Sequence, residues 1–267
     1  MQIMKKRGLA MIKIIAWREL KNLFLSPLAW AILVVTQIIL CYQFLSQLET
    51  YMQMQAKLSV LEHSPGVTDL VVAPLLGGAA IVLLIIVPLL TMRLISEEQK
   101  NQTLSLLFSA PISMSEIILG KYLGVLSFLM ILIAMIALMP LSLLLGTAID
   151  LGQFFSALLG LSLVVASFVA AGLYMSTLTK QPAIAAISSF GLLLLLWMIN
   201  WAGNSTDVQD AIDKTTEHTL SWFSLLNHFE PLLKGIFSST DIIYYMLFIS
   251  LFLTLAIRRL ERLRLPH

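Results

Sequence analysis

The only Gly-Lys pair in this chain, Gly120-Lys121, is where a phosphate-cradling loop would have to be. Such a loop needs a glycine five residues before the Gly-Lys and a hydroxyl residue after it, so that bare backbone amides wrap the phosphates and the hydroxyl reaches magnesium. Ser115 and Tyr122 stand at those positions instead. The chain does not bind ATP by that route. His218 and His228 lie ten residues apart with no cysteine partner, a pattern that fits solvated or capping histidines better than a metal or haem site. Cys41 is the single cysteine and excludes an internal disulfide. What remains is an adjacent carboxylate pair, Glu97-Glu98, and a Ser113-x-x-Glu116 pattern. The second is a capping box: the serine hydroxyl and the glutamate satisfy amide donors left free where a helix starts.

Both belong to one polar stretch, Arg93 to Lys121, with apolar segments long enough to cross a bilayer on either side. From Glu97 to Ser109 it reads as a short amphipathic helix, polar first and then apolar at Leu104, Leu106, Leu107 and Phe108. Ala110-Pro111 stops that helix, because proline has no N–H to donate and disfavours the α region for its predecessor. Ile112 and Ile117 flank the cap at staple positions. The pattern predicts that a membrane helix ends, a stiff helix-turn follows, and a new membrane helix begins at a defined angle. A well-capped interhelical loop would carry the same signals.

Composition sets the class. Hydrophobic residues make up 58% of the 267 and charged residues 12%, about half the roughly 25% of a soluble domain. Mean hydropathy is +0.90. This predicts an all-α integral membrane protein, and no polar segment is long enough for a soluble catalytic domain. A span needs ~20 apolar residues, and six segments answer: about 28–45, 70–92, 122–145, 154–178, 183–201 and 242–257, the last starting earlier, within Leu232–Thr240. Six spans put both termini on one side. That side holds 14 of the 17 lysines and arginines, leaving Lys57, Lys214 and Lys234 on the other. The termini and Arg93–Lys121 are therefore expected to be cytoplasmic.

Residues 1–26 read as a basic arm leading into a short amphipathic helix, with Ala16, Trp17, Leu20, Leu23 and Phe24 on one stripe and Arg18, Glu19, Lys21 and Asn22 opposite. Such a helix lies in the membrane interface. Within the spans so bounded there is no Asp, Glu, Lys, Arg or His, which argues against a proton-driven carrier. Pro88 and Pro140 fall in spans two and three. Gly120-xxx-Gly124 is a packing signal at the start of span three. On the other side, Glu49–Asp69 reads as a short polar loop, and Ala202–Asp241 as the largest loop, acidic first and then one or two interfacial helices. No cofactor and no nucleic-acid partner is expected.

The residues then match a family. Glu97-Glu98, Thr103-Leu104-x-Leu106-Leu107, Pro111-Ile112-Ser113 and Gly120-Lys121 resemble the cytoplasmic signature of ABC-2 (type V) permeases, the membrane subunits of ATP-binding-cassette exporters. Glu19-Leu20, Phe24 and Ser26-Pro27-Leu28-Ala29-Trp30 are similar to that family's interface helix. Ser224-Leu-Leu-x-His228-Phe229-Glu230, Lys234-Gly235, Asp241 and Tyr244-Tyr245 are similar to its gliding-motility branch. The signature usually has a glycine before the threonine and an acidic residue after the leucine, where this chain has Gln102 and Ser105. The resemblance implies a single permease domain, 1–267, in a bacterial inner membrane, forming a homodimer or heterodimer that docks ABC ATPase subunits. It implies ATPase coupling by Glu97, Glu98, Thr103, Leu104, Leu106, Leu107, Phe108 and Pro111, and by the interfacial residues Trp17, Arg18, Glu19, Leu20 and Phe24. The chain itself would be no enzyme, and the exported substrate is not legible. A secondary carrier or channel, or an ATPase-coupled subunit for motility or envelope assembly, are the competing readings.

Overall fold

The computed structural model describes residues 2–58, 66–104, 112–147, 149–203 and 224–264, with side chains described for all of these except 2–7, 56–58 and 200–203. The order is α1 (Gln2–Leu25), α2 (Pro27–Leu58), a π-helical turn (Thr68–Val72) running into α3 (Ala73–Thr91), α4 (Arg93–Lys100), α5 (Met114–Ser142), α6 (Leu151–Leu178), α7 (Pro182–Gly203), α8 (Leu225–Leu233) and α9 (Ser239–Arg264). Among the described residues six helical stretches are long and apolar enough to cross a membrane. The chain is an all-α integral membrane protein, as its composition requires.

The bundle is organised around α6. Of its most apolar stretch, 72% lies inside the protein, against 17–50% for the other five candidate spans. It touches α3, α5, α7, α8 and α9. Small residues let it do so: at Gly172 a Cβ would stand 2.3 Å from Thr91 Oγ1, and at Gly160 2.9 Å from Leu232 Cβ. Neighbouring helices reach the α6 backbone where a larger side chain would hold them off. Asp150 starts the helix by accepting the Gly152 and Gln153 amides at 2.8 and 3.2 Å, satisfying donors that a helix start leaves free.

Several boundaries differ from the sequence reading. The segment expected as a polar loop from Glu49 begins as helix, because α2 runs to Leu58. The helix of span three starts from its Ser113 cap at Met114, and that of span six at Ser239, within the expected Leu232–Thr240, so Lys121 and Asp241, outside the apolar windows, lie inside the helices, 6% exposed each. Hydropathy windows stop at a charge, whereas a helix continues through one that finds a partner. The loop expected to hold interfacial helices places α8 with Leu225, His228, Phe229 and Leu232 buried, packed on α6 and α7. Its apolar face meets protein. Residues 204–223, with the acidic run and His218, are outside the described set.

Candidate coupling site

The carboxylate pair Glu97-Glu98 sits on α4, an eight-residue helix that follows α3 after a one-residue interruption at Met92. Ser176, near the end of α6, fills that interruption. Its hydroxyl accepts the Ile95 and Ser96 amides at 3.1 Å each and donates to the Met92 carbonyl at 3.0 Å. A hydroxyl from a neighbouring helix thus replaces part of the i→i−4 ladder. Gln99 Nε2 adds a bond to the Thr177 carbonyl at 3.1 Å. With Leu94, Ile95 and Ser96 buried, one side of α4 is fastened to α6. Arg93, Glu97, Lys100 and Asn101 are exposed on the other.

The helix expected over Glu97–Ser109 is therefore shorter and earlier. It ends at Lys100, and Gln102 takes φ +57, the left-handed region. The Thr103 amide reaches back to the Glu98 carbonyl at 3.1 Å and the Gln102 amide to Gln99 at 3.4 Å, a Schellman ending. A stripe of apolar residues at helical spacing cannot reveal such a stop, because the turn is made by backbone. The glycine usual before the threonine in the resembled signature would fall on this left-handed residue. Leu104 is buried and Thr103 exposed. Leu106, Leu107, Phe108 and Pro111 lie outside the described residues.

The expected capping box opens α5. Ser113 Oγ accepts the Glu116 amide at 3.2 Å, and Glu116 Oε2 accepts the Ser113 amide at 3.0 Å. Ile117 is buried and Ile112 packs on the core. Along the same helix, Gly120 and Gly124 seat α1: a Cβ at either would come within 2.6 Å of Ile15 or Glu19. The Gly-xxx-Gly signal thus belongs to the N-terminal helix. On α1, Ile15, Leu20, Leu23 and Phe24 pack on the core, and Phe24 meets Phe128 edge-on at 5.3 Å. Trp17, assigned from sequence to this stripe, is 69% exposed. The seat on the two glycines rotates α1, turning Trp17 outward and Glu19 in.

Glu19 and Glu98 meet through a residue that stands in the resembled signature but not among the expected coupling residues. Lys121 Nζ stands 2.8 Å from Glu98 Oε1 and 3.7 Å from Glu19 Oε2, its side chain 7% exposed. One ammonium thus ties α1, α4 and α5 together. Glu98 Oε2 is buried with no hydrogen-bond partner, so the cluster holds two carboxylates against one cation. A signal existed: a lysine two turns into an apolar helix must find a carboxylate or reach water. Beside the cluster opens a cavity of about 430 Å³ that Arg18, Arg93 and Glu97 also line.

The other histidine expectation is corrected at the far end of the bundle. His228 is 9% exposed, its Nδ1 lies 2.7 Å from Asp241 Oδ1, and its ring stacks on Tyr244 at 4.0 Å. Tyr245 Oη donates to the Leu225 carbonyl at 2.8 Å. The pair pins α8 to α9, neither solvated nor capping. Among the described residues no group of three metal-ligating side chains occurs.

These groups supply no nucleophile with a base beside it. They join three helices at one end of the bundle into a unit that can carry a displacement. A search of the curated proteins found no match. The sequence model of one family, ABC-2 family transporter protein, matches residues 13–263, from within α1 to the last turn of α9. This chain, multi-pass and built around that joined unit, belongs to the ABC-2 family of transporter proteins.

Proposed function

We propose that the chain is the permease subunit of an ATP-binding-cassette exporter in the bacterial cytoplasmic membrane, with both termini cytoplasmic. Within the family we place it nearest the gliding-motility type, on the residues His228, Asp241, Tyr244 and Tyr245. Two copies, or one copy and a sibling permease, form the translocation path, and separate ABC ATPase subunits hydrolyse ATP. The observation that carries the coupling is the Glu19–Lys121–Glu98 cluster. The two helices that the resemblance assigns to the ATPase contact are joined to each other and to span three. Force applied to α4 passes to α6 through Ser176 and to α5 through Lys121. The exposed Glu97, with Arg18 and Trp17 on α1, faces the ATPase. Glu98 holds the cluster from within, and Thr103, Leu104, Leu106, Leu107, Phe108 and Pro111 complete the coupling segment.

This division of roles sets the experiment. Glu97→Lys, which leaves the cluster intact, is expected to weaken co-purification of the ATPase at least tenfold. Reversing an interfacial charge places like charges together, and truncation alone costs about 2–5 kcal/mol where the pair is desolvated. Wild-type recovery of the ATPase by a folded, membrane-inserted Glu97→Lys protein would refute the assignment of α4 as the coupling helix.

A further inference from the structure

The cavity beside Lys121 is lined by three cations, Arg18, Arg93 and Lys121, and three carboxylates, Glu19, Glu97 and Glu98. Lys121 is taken by Glu19 and Glu98. Arg18, Arg93 and Glu97 have neither an ion pair nor a side-chain hydrogen bond among the described residues. Two guanidinium groups and a carboxylate therefore face one space of about 430 Å³, within the ~300–1,000 Å³ typical of a small-molecule site. The walls are not polar throughout. Ile14 and Leu89 also line the space and are 60% and 41% exposed, so the cavity has a charged end and an apolar flank.

Its depth is set by the turn between α1 and α2. Trp30, 54% exposed, donates its indole N–H to the Phe24 carbonyl at 2.8 Å, and Trp17 is exposed on α1. Exposed tryptophans at the end of a span mark the headgroup level of a bilayer. A ligand there with a charged end and an apolar body is a lipid. Because the six lining charges balance, a net-neutral zwitterion leaves the site neutral, whereas an anionic headgroup would add an uncompensated negative charge and leave Glu97 without a partner.

We propose that this cavity is a binding site for a resident zwitterionic aminophospholipid of the phosphatidylethanolamine class. Its phosphodiester is held by Arg18 and Arg93, whose planar donors suit phosphate oxygens. Its primary ammonium donates to Glu97, and its acyl chains leave along Ile14 and Leu89. The lipid fills the angle between α1 and the α3–α4 junction, the two parts that the Lys121 cluster joins. Glu97 and Arg18 are also offered to the ATPase above, so the test uses Arg93, which that reading leaves unused, and needs no ATPase.

The full chain is reconstituted in nanodiscs with equal amounts of phosphatidylethanolamine, phosphatidylglycerol and phosphatidylcholine. It is then released into mild detergent, and the retained lipid is read by native mass spectrometry. The wild type is expected to keep phosphatidylethanolamine about tenfold over either competitor, a ratio equal to one hydrogen-bonded charge contact. Phosphatidylcholine, whose ammonium carries no N–H, reports on the Glu97 contact. Arg93→Gln should lower the retention about fivefold or more, and Arg93→Lys, which keeps the charge but not the planar fork, should restore part of it, which separates lost charge from misfolding. Equal retention of the three lipids, preference for phosphatidylglycerol, an unchanged Arg93→Gln, or displacement of the lipid by inorganic phosphate would each overturn the proposal. None of those outcomes touches the ATPase reading, nor does failure of the Glu97→Lys test touch this one.

Discussion

Lys121 does more than its neighbours because of where it ionises. Its side chain is 7% exposed and those of Glu19 and Glu98 are 18% and 26%, so the attraction acts in a medium less screening than water. Removing one member of a buried pair costs more than the pair contributes, since it strands the other charge. Lys121→Met is therefore expected to lower stability by about 2–3 kcal/mol, below the ~3–5 of a wholly buried pair because both carboxylates keep some solvent. Lys121→Met with Glu98→Gln should recover part of that loss, since the double change removes a stranded charge. Thermal unfolding in detergent measures both. A single variant that melts with the wild type would mean the cluster holds nothing together.

Helix endings show the same economy at the next scale. α8 and α4 both close with a Schellman motif. In α8, Ile236 N–H reaches the Pro231 carbonyl at 2.9 Å and Gly235 N–H reaches Leu232 at 3.2 Å, with Gly235 at φ +78. In α4 the left-handed position is Gln102, whose Cβ crowds the following carbonyl at a cost of ~1–2 kcal/mol. Gln102→Gly should therefore stabilise the end of α4 by roughly 0.5–1 kcal/mol after the greater chain entropy of glycine is counted. Gly235→Gln should do the reverse and lose more, since its Cβ would meet Gln153 Cα at 3.2 Å. Hydrogen exchange of the Gln102 and Thr103 amides reads the first change, and thermal unfolding the second. Faster exchange in Gln102→Gly would show that the left-handed residue carries no strain.

For the whole molecule, the distribution of charge makes the prediction. With 14 of 17 basic residues assigned to the side that carries α4 and the termini, that side is expected to be cytoplasmic. Two exposed positions at opposite ends of the bundle test it: Lys100, at the end of α4, and Thr147, between α5 and α6. In a Cys41→Ala background, a cysteine at Thr147 should react with a membrane-impermeant thiol reagent on intact cells, and one at Lys100 only after permeabilisation. Labelling of position 100 but not 147 on intact cells would invert the topology and, with it, the placement of the ATPase.

The sequence by itself determined what depends on local chemistry or on solvent. Six spans follow from runs of apolar residues because hydrocarbon rejects everything else. The Ser113–Glu116 cap follows from side chains three residues apart, and the family from motifs in order. Only the tertiary structure decided which faces meet. Gly120 and Gly124 carry no mark saying that their partner is α1, and a turn of that helix about its axis separates an inward Trp17 from an inward Glu19. Lys121, bounded out of span three by its charge, acquires a place only when residues 102 and 23 positions away arrive beside it. His228 and Asp241, thirteen apart in sequence, become a buried pair because α8 folds back onto α6. Each of these is a non-local contact, and its free energy is in neither partner's own stretch of chain.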